Sequence, residues 1–352
     1  MEVILNGQAH GSMASTLLAN NFDIGALRPY IGEGGRSFIT QNVGGKQIAV
    51  PTHNAATLRK DEWIELDQVV TAAAKERLRL VSDLRGAGLQ YNMGGNGMGR
   101  TVLQTQNISD ITPAKISMEP GVANQGDRPE FDLTNLPLPV IHHGFEFHAR
   151  QLATSRNSGT PLDTTVAALA GRRVAEMAEQ LALGTAASFT YGGGTVYGLL
   201  NFPSRITKSD LADPTDSGWV PGDTVRDVLA MRQLSVNAKH YGPWVLYNSP
   251  AWDEYLDDDY SGLKGDNTLR ERIAKINGIR DIRTLDYMTG FNLVLVQQTT
   301  DVIRMVVGME ISTLQWETNG GLTQNFKVMA ILVPQLRADF NGNTGIVHGS
   351  VA

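Results

Sequence analysis

The stretch "ASFTYGGGTVYGLLNFP", Ala187–Pro203, sets three consecutive glycines, Gly192, Gly193 and Gly194, between Tyr191 and Thr195. Such a run is either a cradle for phosphate or a bend in the backbone, and the two readings lead to different proteins. A Walker-type phosphate loop places Gly-x-x-x-x-Gly-Lys-Ser/Thr between a strand and a helix, so that backbone N–H groups and a lysine meet the phosphates. No lysine occurs between Arg173 and Lys208, the glycines follow a helical pattern instead of opening one, and the strand-like "TVYGLLN" comes after them. The run reads as a structural, helix-terminating turn.

The helix before it covers residues 162–184. Leu162, Val166, Leu169 or Ala170, Val174, Met177 and Leu181 recur at three- and four-residue steps and predict its buried stripe. At 1.5 Å per residue it spans roughly 33 Å, enough to serve as a structural spine. Upstream, "IHHGFEFHAR" (Ile141–Arg150) alternates as a strand does. His142, Glu146 and His148 are evenly spaced and share one face of it. Imidazole and carboxylate are metal ligands, but positions i and i+6 of a strand stand about 20 Å apart. A partner contact or a solvated face is expected there instead of an ion.

Residues 86–140 have no helical stripe; "GAGLQYNMGGNGMGR" is glycine-dense and "NQGDRPEFDLTNLPLPV" is punctuated by prolines. A stretch of this length without regular structure is unusual inside a compact domain. It reads as a projecting two-stranded ribbon that packs on something else, because alone it would be marginal. Gly94, Gly95, Gly97 and Gly99 lie at its base; a dinucleotide fingerprint would need glycine where Arg100 stands. Before the ribbon, "KDEWIELDQVVTAAAKERLRLV" (Lys60–Val81) predicts a helix, with Trp63, Leu66, Val70, Ala73, Arg77 and Leu80 or Val81 on one stripe and Gly86 and Gly88 as the stop. Residues 1–58 are rich in Gly, Asn, Ser and Thr, with only brief apolar patches, of which Val3–Leu5 and Ile48–Val50 read as short strands, and the segment reads as an extended arm.

Downstream of the glycines, Pro203–Gly222 reads as a loop and Asp223–Ala238 as a helix carrying Val225, Val228, Leu229 and Leu234. "WVLYNS" (Trp244–Ser249) and "FNLVLVQ" (Phe291–Gln297) predict buried strands, and "LRERIAKI" (Leu269–Ile276) a short helix. The end of the chain is β-rich: "DVIRMVVGMEISTLQWE" and "QNFKVMAILVPQLRADF" flank a hairpin turn at Asn319, Gly320 and Gly321. Helices and antiparallel strands are segregated, so the class is α+β.

Net charge is −6 and the pI about 5.7 over 352 residues, which argues against a protein whose main task is to neutralise phosphates but not against one that encloses nucleic acid. With no cysteine, neither disulfides nor thiolate metal sites can form. Met1–Gly11 has no basic start or long apolar stretch, and the longest apolar runs, such as "VMAILVP", are too short for a bilayer. A soluble, intracellularly made protein is expected. "DDDY" at Asp257–Tyr260 lacks the alternating ligands and distal Glu of a calcium loop and reads as a solvated acidic turn. There is no Gly-x-Ser-x-Gly elbow. No catalytic, cofactor-binding or metal-binding residues are assigned.

The order of elements carries more than any motif: arm, helix, glycine-flanked ribbon, spine helix, glycine turn, mixed α/β region, terminal hairpin. This order resembles the Hong Kong 97-type capsid fold shared by major capsid proteins of tailed bacteriophages and by encapsulin shell proteins. "LRKDEWIELDQVVTAAAKERLRLVSDLRGAG" (Leu58–Gly88) is similar to the encapsulins' Trp-bearing helix that runs into a glycine-rich stretch. "LPVIHHGFEFHARQLATS" (Leu138–Ser155) is similar to the strand that re-enters the body after the ribbon. "VAEMAEQLALGTAASFTYGGGTVYGLLN" (Val174–Asn201) resembles the end of the spine helix with its glycine turn, and Asp301–Arg337 the hairpin of the peripheral domain.

The resemblance covers about residues 55–352 and implies an N-terminal arm (1–58), a helix (59–85) and an extended loop over a neighbouring subunit (86–140). It further implies a peripheral domain (141–222 and 301–352) and an axial domain (223–300). It implies a non-enzymatic major capsid protein without cofactors, self-assembling into hexamers and pentamers of an icosahedral shell in the host bacterial cytoplasm. That shell would enclose double-stranded DNA without sequence-specific binding or a membrane. A portal, and a scaffolding or decoration protein, are the further partners implied. The arm is longer than encapsulins have, which favours the phage reading over an encapsulin-like compartment for an enzyme cargo. The ribbon holds one lysine, Lys115, so the isopeptide cross-links of some relatives are not expected. A soluble metal-dependent enzyme using His142, His148 or the acidic turn is the alternative from another class.

Overall fold

The computed structural model describes residues 30–31, 37–43, 46–52, 58, 60–94, 97–111, 116, 118, 128–158, 164–261, 267–319 and 322–351, with the backbone alone up to residue 52 and at 60–61 and 156–158. They fall into two compact units. The first draws on Met1–Thr101, Leu138–Ala187 and Met305–Pro334, the second on Val102–Pro137, Ser188–Arg304 and Gln335–Ala352.

The first unit is built on a four-stranded sheet in the order Gln90–Asn92, Ile303–Thr318, Thr323–Leu336, Ile141–His148. The terminal hairpin is its centre. Gln90–Asn92 pairs in parallel with Met305–Val307, and Ile141–His148 runs antiparallel with Phe145 opposite Phe326. Phe326 is the hub of the core: Phe145 stacks on it at 5.1 Å, while Phe147 and Trp63 meet it edge-on at 5.4 and 6.0 Å. Aromatic pairs at these separations add specificity to the area they bury.

Two helices stand where one was expected over Lys60–Val81. They run Lys60–Arg77 and Arg79–Gly86, broken at Leu78. The cause is tertiary. Glu179 of the spine helix is buried, and its carboxylate accepts the N–H groups of Leu80 (2.5 Å) and Val81 (3.3 Å), two donors the second helix start leaves unpaired.

The spine helix is Thr165–Leu183, ended by Gly184 with φ 90°. Its buried face differs from the expected stripe. Ala167, Ala170, Val174, Ala175, Ala178 and Ala182 are buried, whereas Val166, Leu169 and Met177 are 45–49% exposed. Small side chains let the first helix approach closely: a Cβ at Gly171 would lie 2.8 Å from the Val70 carbonyl oxygen. Strand Ile141–His148 also ends sooner than expected, because Ala149–Ser158 turns into a helix. In the expected arm, Ile48–Val50 lies within an antiparallel three-stranded sheet, Tyr30–Ile31, Ser37–Val43 and Lys46–Thr52, while Val3–Leu5 lies outside the described residues.

The second unit carries a mixed five-stranded sheet in the order Ile206–Leu211, Ile346–Val351, Asn292–Gln297, Trp244–Asn248, Ile279–Thr284. Helix Pro221–Asn237 packs on it, burying Val228 and Met231 with Leu246, Trp252, Leu293 and Leu295. Trp244 donates its indole N–H to Ser235 Oγ at 2.9 Å, and the glycines at 242 and 278 lie against its ring. Residues 206–211, read as loop, are an edge strand. Residues 188–222 and 335–352 join 223–300 in this unit instead of the sheet of the terminal hairpin, because Ile346–Val351 is hydrogen-bonded between Ile206–Leu211 and Asn292–Gln297. A six-residue strand carries no local sign of its distant partners.

Candidate functional site

The ribbon is shorter than residues 86–140. Val102–Ile108 and Phe131–Pro137 pair antiparallel, from Val102 opposite Pro137 to Ile108 opposite Phe131. The ladder continues through Ser109 N–H to the Glu130 carbonyl at 2.9 Å. Residues directly opposite share a face, and the faces alternate along each strand. Ile108, Phe131 and Leu133 therefore lie together on one face, 58–64% exposed. The other face carries Thr105, Asn107, Asp132 and Thr134. Further along, Ile111, Ile116 and Met118 are exposed too. Within the chain, this apolar face has no cover among the described residues. A contiguous exposed apolar surface on a two-stranded element marks an interaction site, since such a ribbon is not independently stable.

The base of the ribbon is fixed. Leu103 and Leu136 are buried. Buried Gln335 accepts from Arg304 Nε at 2.6 Å and donates to Thr105 Oγ1 at 3.3 Å.

Here the three glycines find their place. Gly192 and Gly193, with φ 58° and 75°, are the two central residues of a tight hairpin joining Phe189–Tyr191 to Gly194–Val196. Positive φ at both positions is the signature of the turn that matches strand twist, and glycine holds it without strain. Gly192 O accepts the Asn135 amide at 3.0 Å, and a Cβ at Gly194 would fall 2.0 Å from the Asn135 carbonyl oxygen. The spine helix thus ends at Gly184, and Gly192–Gly194 form a hairpin seated against the foot of the ribbon. This corrects their reading as the helix-terminating turn. The helix-like run before them hid the eight residues in which the chain has already left the helix.

Of the glycines expected at the ribbon base, Gly94 has φ 63° just after the parallel strand, and Gly99 is an exposed turn residue. Gly97 packs backbone to backbone on the glycine at 308, where a Cβ would lie 2.3 Å from the carbonyl oxygen. All three belong to the first unit, and Gly95 lies outside the described residues. At the hairpin, Asn319 takes φ 55° and donates to Thr323 Oγ1 at 3.2 Å; Gly320 and Gly321 lie outside the described residues.

His142, Glu146 and His148 share the exposed face of their edge strand, as their spacing implies. Among the described residues no three His, Cys, Asp or Glu side chains converge on a point where they could hold an ion. In the acidic turn, Asp257 accepts Arg270 Nε at 2.6 Å. Arg270 also reaches Asp253 at 2.9 Å. Burial opposes charge on Asp253, but hydrogen bonds from Thr284, Arg270 and Asn248, with the Arg270 charge, outweigh it and hold the carboxyl below the ordinary range. These carboxylates serve an internal ion-pair network.

A second apolar surface escaped the sequence reading. Val166, Leu169 and Met177 form a stripe along the outward face of the spine helix, with Arg173 between them. The signal was present as apolar residues on both sides of the helix, but periodicity cannot rank two faces.

Residues 53–349 match the model of a family described as "Family of unknown function (DUF6260)". The chain belongs to this family. This DUF6260 chain is also similar in structure to a virus-like particle from Pyrococcus furiosus, at TM-score 0.57 and 17% identity, over 81% of this chain and 98% of that one. It is similar to the capsid of Myoviridae phage XM1, at TM-score 0.59 and 8% identity, over 77% and 92% of the two chains. The capsid of a native GTA particle matches at TM-score 0.52 and 14% identity, over 78% and 91%. At these identities the likeness speaks to the fold alone: the DUF6260 chain has the α+β Hong Kong 97-type capsid fold. No helix among its described residues is long and apolar enough to cross a membrane.

Proposed function

We propose that this protein is the structural subunit of a closed icosahedral shell, a major capsid protein that forms hexamers and pentamers around the double-stranded DNA of a tailed phage. The observation that carries the proposal is the ribbon whose apolar face, Ile108, Phe131 and Leu133, is exposed in the single chain. The capsid fold supports it. In a shell each ribbon would cover part of a neighbouring copy, so that apolar side chains and unpaired strand edges are satisfied only on assembly. Many modest contacts then add cooperatively, and neither disulfides nor cross-links are required. The hairpin of Gly192–Gly194 would hold the ribbon at its working angle, and the second unit would stand near the local five- and six-fold axes.

The work of such a subunit is geometric and not catalytic. A net charge of −6 suits a container filled by a packaging motor, because a weakly repulsive wall does not grip the DNA. A portal, and a scaffolding or decoration protein, would complete the particle. A shell around an enzyme cargo is the second reading, and the fold shared with a virus-like particle is compatible with it. Particle mass by light scattering and electron microscopy of the purified protein tests both. Closed particles are expected, with DNA inside in the first case and a cargo protein in the second. A chain that stays small even in infected-cell lysate would overturn the shell reading.

A further inference from the structure

The edges of the two larger sheets differ in how they are guarded. A strand at the end of a sheet offers unpaired N–H and C=O groups to any other chain, and proteins blunt such edges by shortness, bulges or charge. Gln90–Asn92 is three residues long. Ile206–Leu211 breaks register between Lys208 and Leu211. Ile279–Thr284 carries Arg280, Asp281 and Arg283. The fourth edge is Ile141–His148. It is eight residues long, keeps one register against Thr323–Ala330 throughout, and contains no Pro, Lys or Arg.

One hydrogen bond shows which groups this edge leaves free. Ala149 N–H donates to the Leu322 carbonyl at 2.8 Å, one step beyond the opposed pair His148 and Thr323. Odd positions therefore bond to the hairpin, and His142, Gly144, Glu146 and His148 turn their N–H and C=O groups outward. His148 N–H is taken by Gln151 Oε1 at 3.0 Å. Among the described residues, nothing bonds to the outward groups of His142, Gly144 and Glu146. Gly144 stands in the middle, and its own sheet does not call for glycine: a Cβ there would make an ordinary contact, 3.5 Å from the Phe326 carbonyl oxygen. Glycine inside a strand weakens it and often marks a place where another backbone comes close.

The sequence around Gly144 is self-complementary. Laid antiparallel on a second copy, with Gly144 opposite Gly144, the strand sets His142 of each copy against Glu146 of the other. Opposed residues share a face with Cα atoms about 5.5 Å apart, so imidazole N–H and carboxylate oxygen meet twice. Centring on His142 or Glu146 would oppose like groups, and centring on His143 or Phe145 would leave Glu146 opposite Val140 or Gly144. Centring on Phe147 would set Glu146 against His148, but it needs the N–H that Gln151 holds.

We infer that Ile141–His148 is a homotypic pairing edge, through which two copies join their sheets about a twofold axis at Gly144, with His142 facing Glu146 on both sides of the axis. The contact is isologous and closes on itself. It goes beyond the shell reading and does not depend on it. Within a shell it would tie each copy to one other, whatever the ribbon covers.

The chain contains no cysteine, so single thiols report the register without background. Full-length protein carrying Gly144→Cys, His142→Cys or Glu146→Cys is treated with a bis-maleimide and run on a denaturing gel. Gly144→Cys should give dimers and nothing larger. In this register two copies of position 142, or of 146, stand about 14 Å apart, and the linker is chosen too short to span that. His142→Cys alone and Glu146→Cys alone should therefore stay monomeric on the gel, while an equal mixture of the two gives dimers. Glu146→Lys should weaken the dimer roughly tenfold in sedimentation, and adding His142→Glu should restore it with the signs reversed. If neither Gly144→Cys nor the mixture cross-links, the inference is overturned, and the shell reading stands where particles still form. Dimers from His142→Cys or Glu146→Cys alone would also overturn it. Dimers of the expected pattern in protein that never builds particles would support the pairing and fail the shell reading. If Gly144→Cys does not fold, the mixture decides alone, since both of its substitutions are at exposed positions.

Discussion

Replacing Phe131 by alanine separates assembly from folding. The side chain is 58% exposed in the single chain, so the fold uses less than half of it. Complete burial of a Phe side chain is worth about 1.5–3 kcal/mol, which leaves about 1–2 kcal/mol to be gained when a neighbour covers the exposed part. Losing that amount lowers an association constant roughly 5- to 30-fold per contact. The critical concentration for particle formation, followed by light scattering, should rise by that factor. The unassembled subunit should lose less, about 0.6–1.3 kcal/mol, because only the part of the ring already buried serves the fold. The opposite pattern, an unchanged critical concentration with a clear loss of subunit stability, would refute the reasoning, since Phe131 would then be packed inside its own chain.

Three further outcomes test the body of the protein. Gly171→Ala would favour an isolated helix by up to about 1 kcal/mol. Here the new Cβ would meet the Val70 carbonyl at 2.8 Å, so a loss of about 1–3 kcal/mol is expected in denaturant unfolding, and a stabilised variant would contradict the close helix crossing. Glu179→Ala removes the carboxylate that caps Leu80 and Val81 and should cost about 1–2 kcal/mol, read as a lower urea midpoint, with Glu179→Gln between it and wild type. Burial, reinforced by the Arg205 charge, lowers the pKa of His348 from 6.5 to about 4. Its Nδ1 accepts Arg205 Nε at 3.4 Å, and its Nε2 pairs with Asn292 Oδ1 at 3.0 Å. Between those two pH values the unfolded chain binds a proton that the folded chain refuses. Stability is therefore complete above about 6.5 and falls as pH drops towards 4, by about 2 kcal/mol once solvent screening of the partly exposed ring is discounted. His348→Gln should flatten that part of the pH profile, and an unaltered slope would remove His348 as its cause.

Local pattern alone determined the class of the protein and the order of its elements. Alternation marked Ile141–His148 and the terminal hairpin, three- and four-residue steps marked the helices around Trp63 and Val174, and Asn319 marked the hairpin turn. The missing lysine excluded a phosphate loop. These signals live within a few residues of one another, where backbone sterics and side-chain periodicity act. What tertiary structure decided was partnership. Ile346–Val351 reads as any short strand, and only hydrogen bonds to residues over fifty positions away on one side and over a hundred on the other place it in the second unit's sheet. Leu78 breaks a helix that periodicity would continue, because a carboxylate a hundred residues on meets the next helix start. Gly192–Gly194 form a turn under either reading, but Asn135 determines what they turn against. The spine helix has two apolar faces, and the alanine face is the buried one because the helix crossing at Gly171 requires a close approach. That choice leaves Val166, Leu169 and Met177 on the surface.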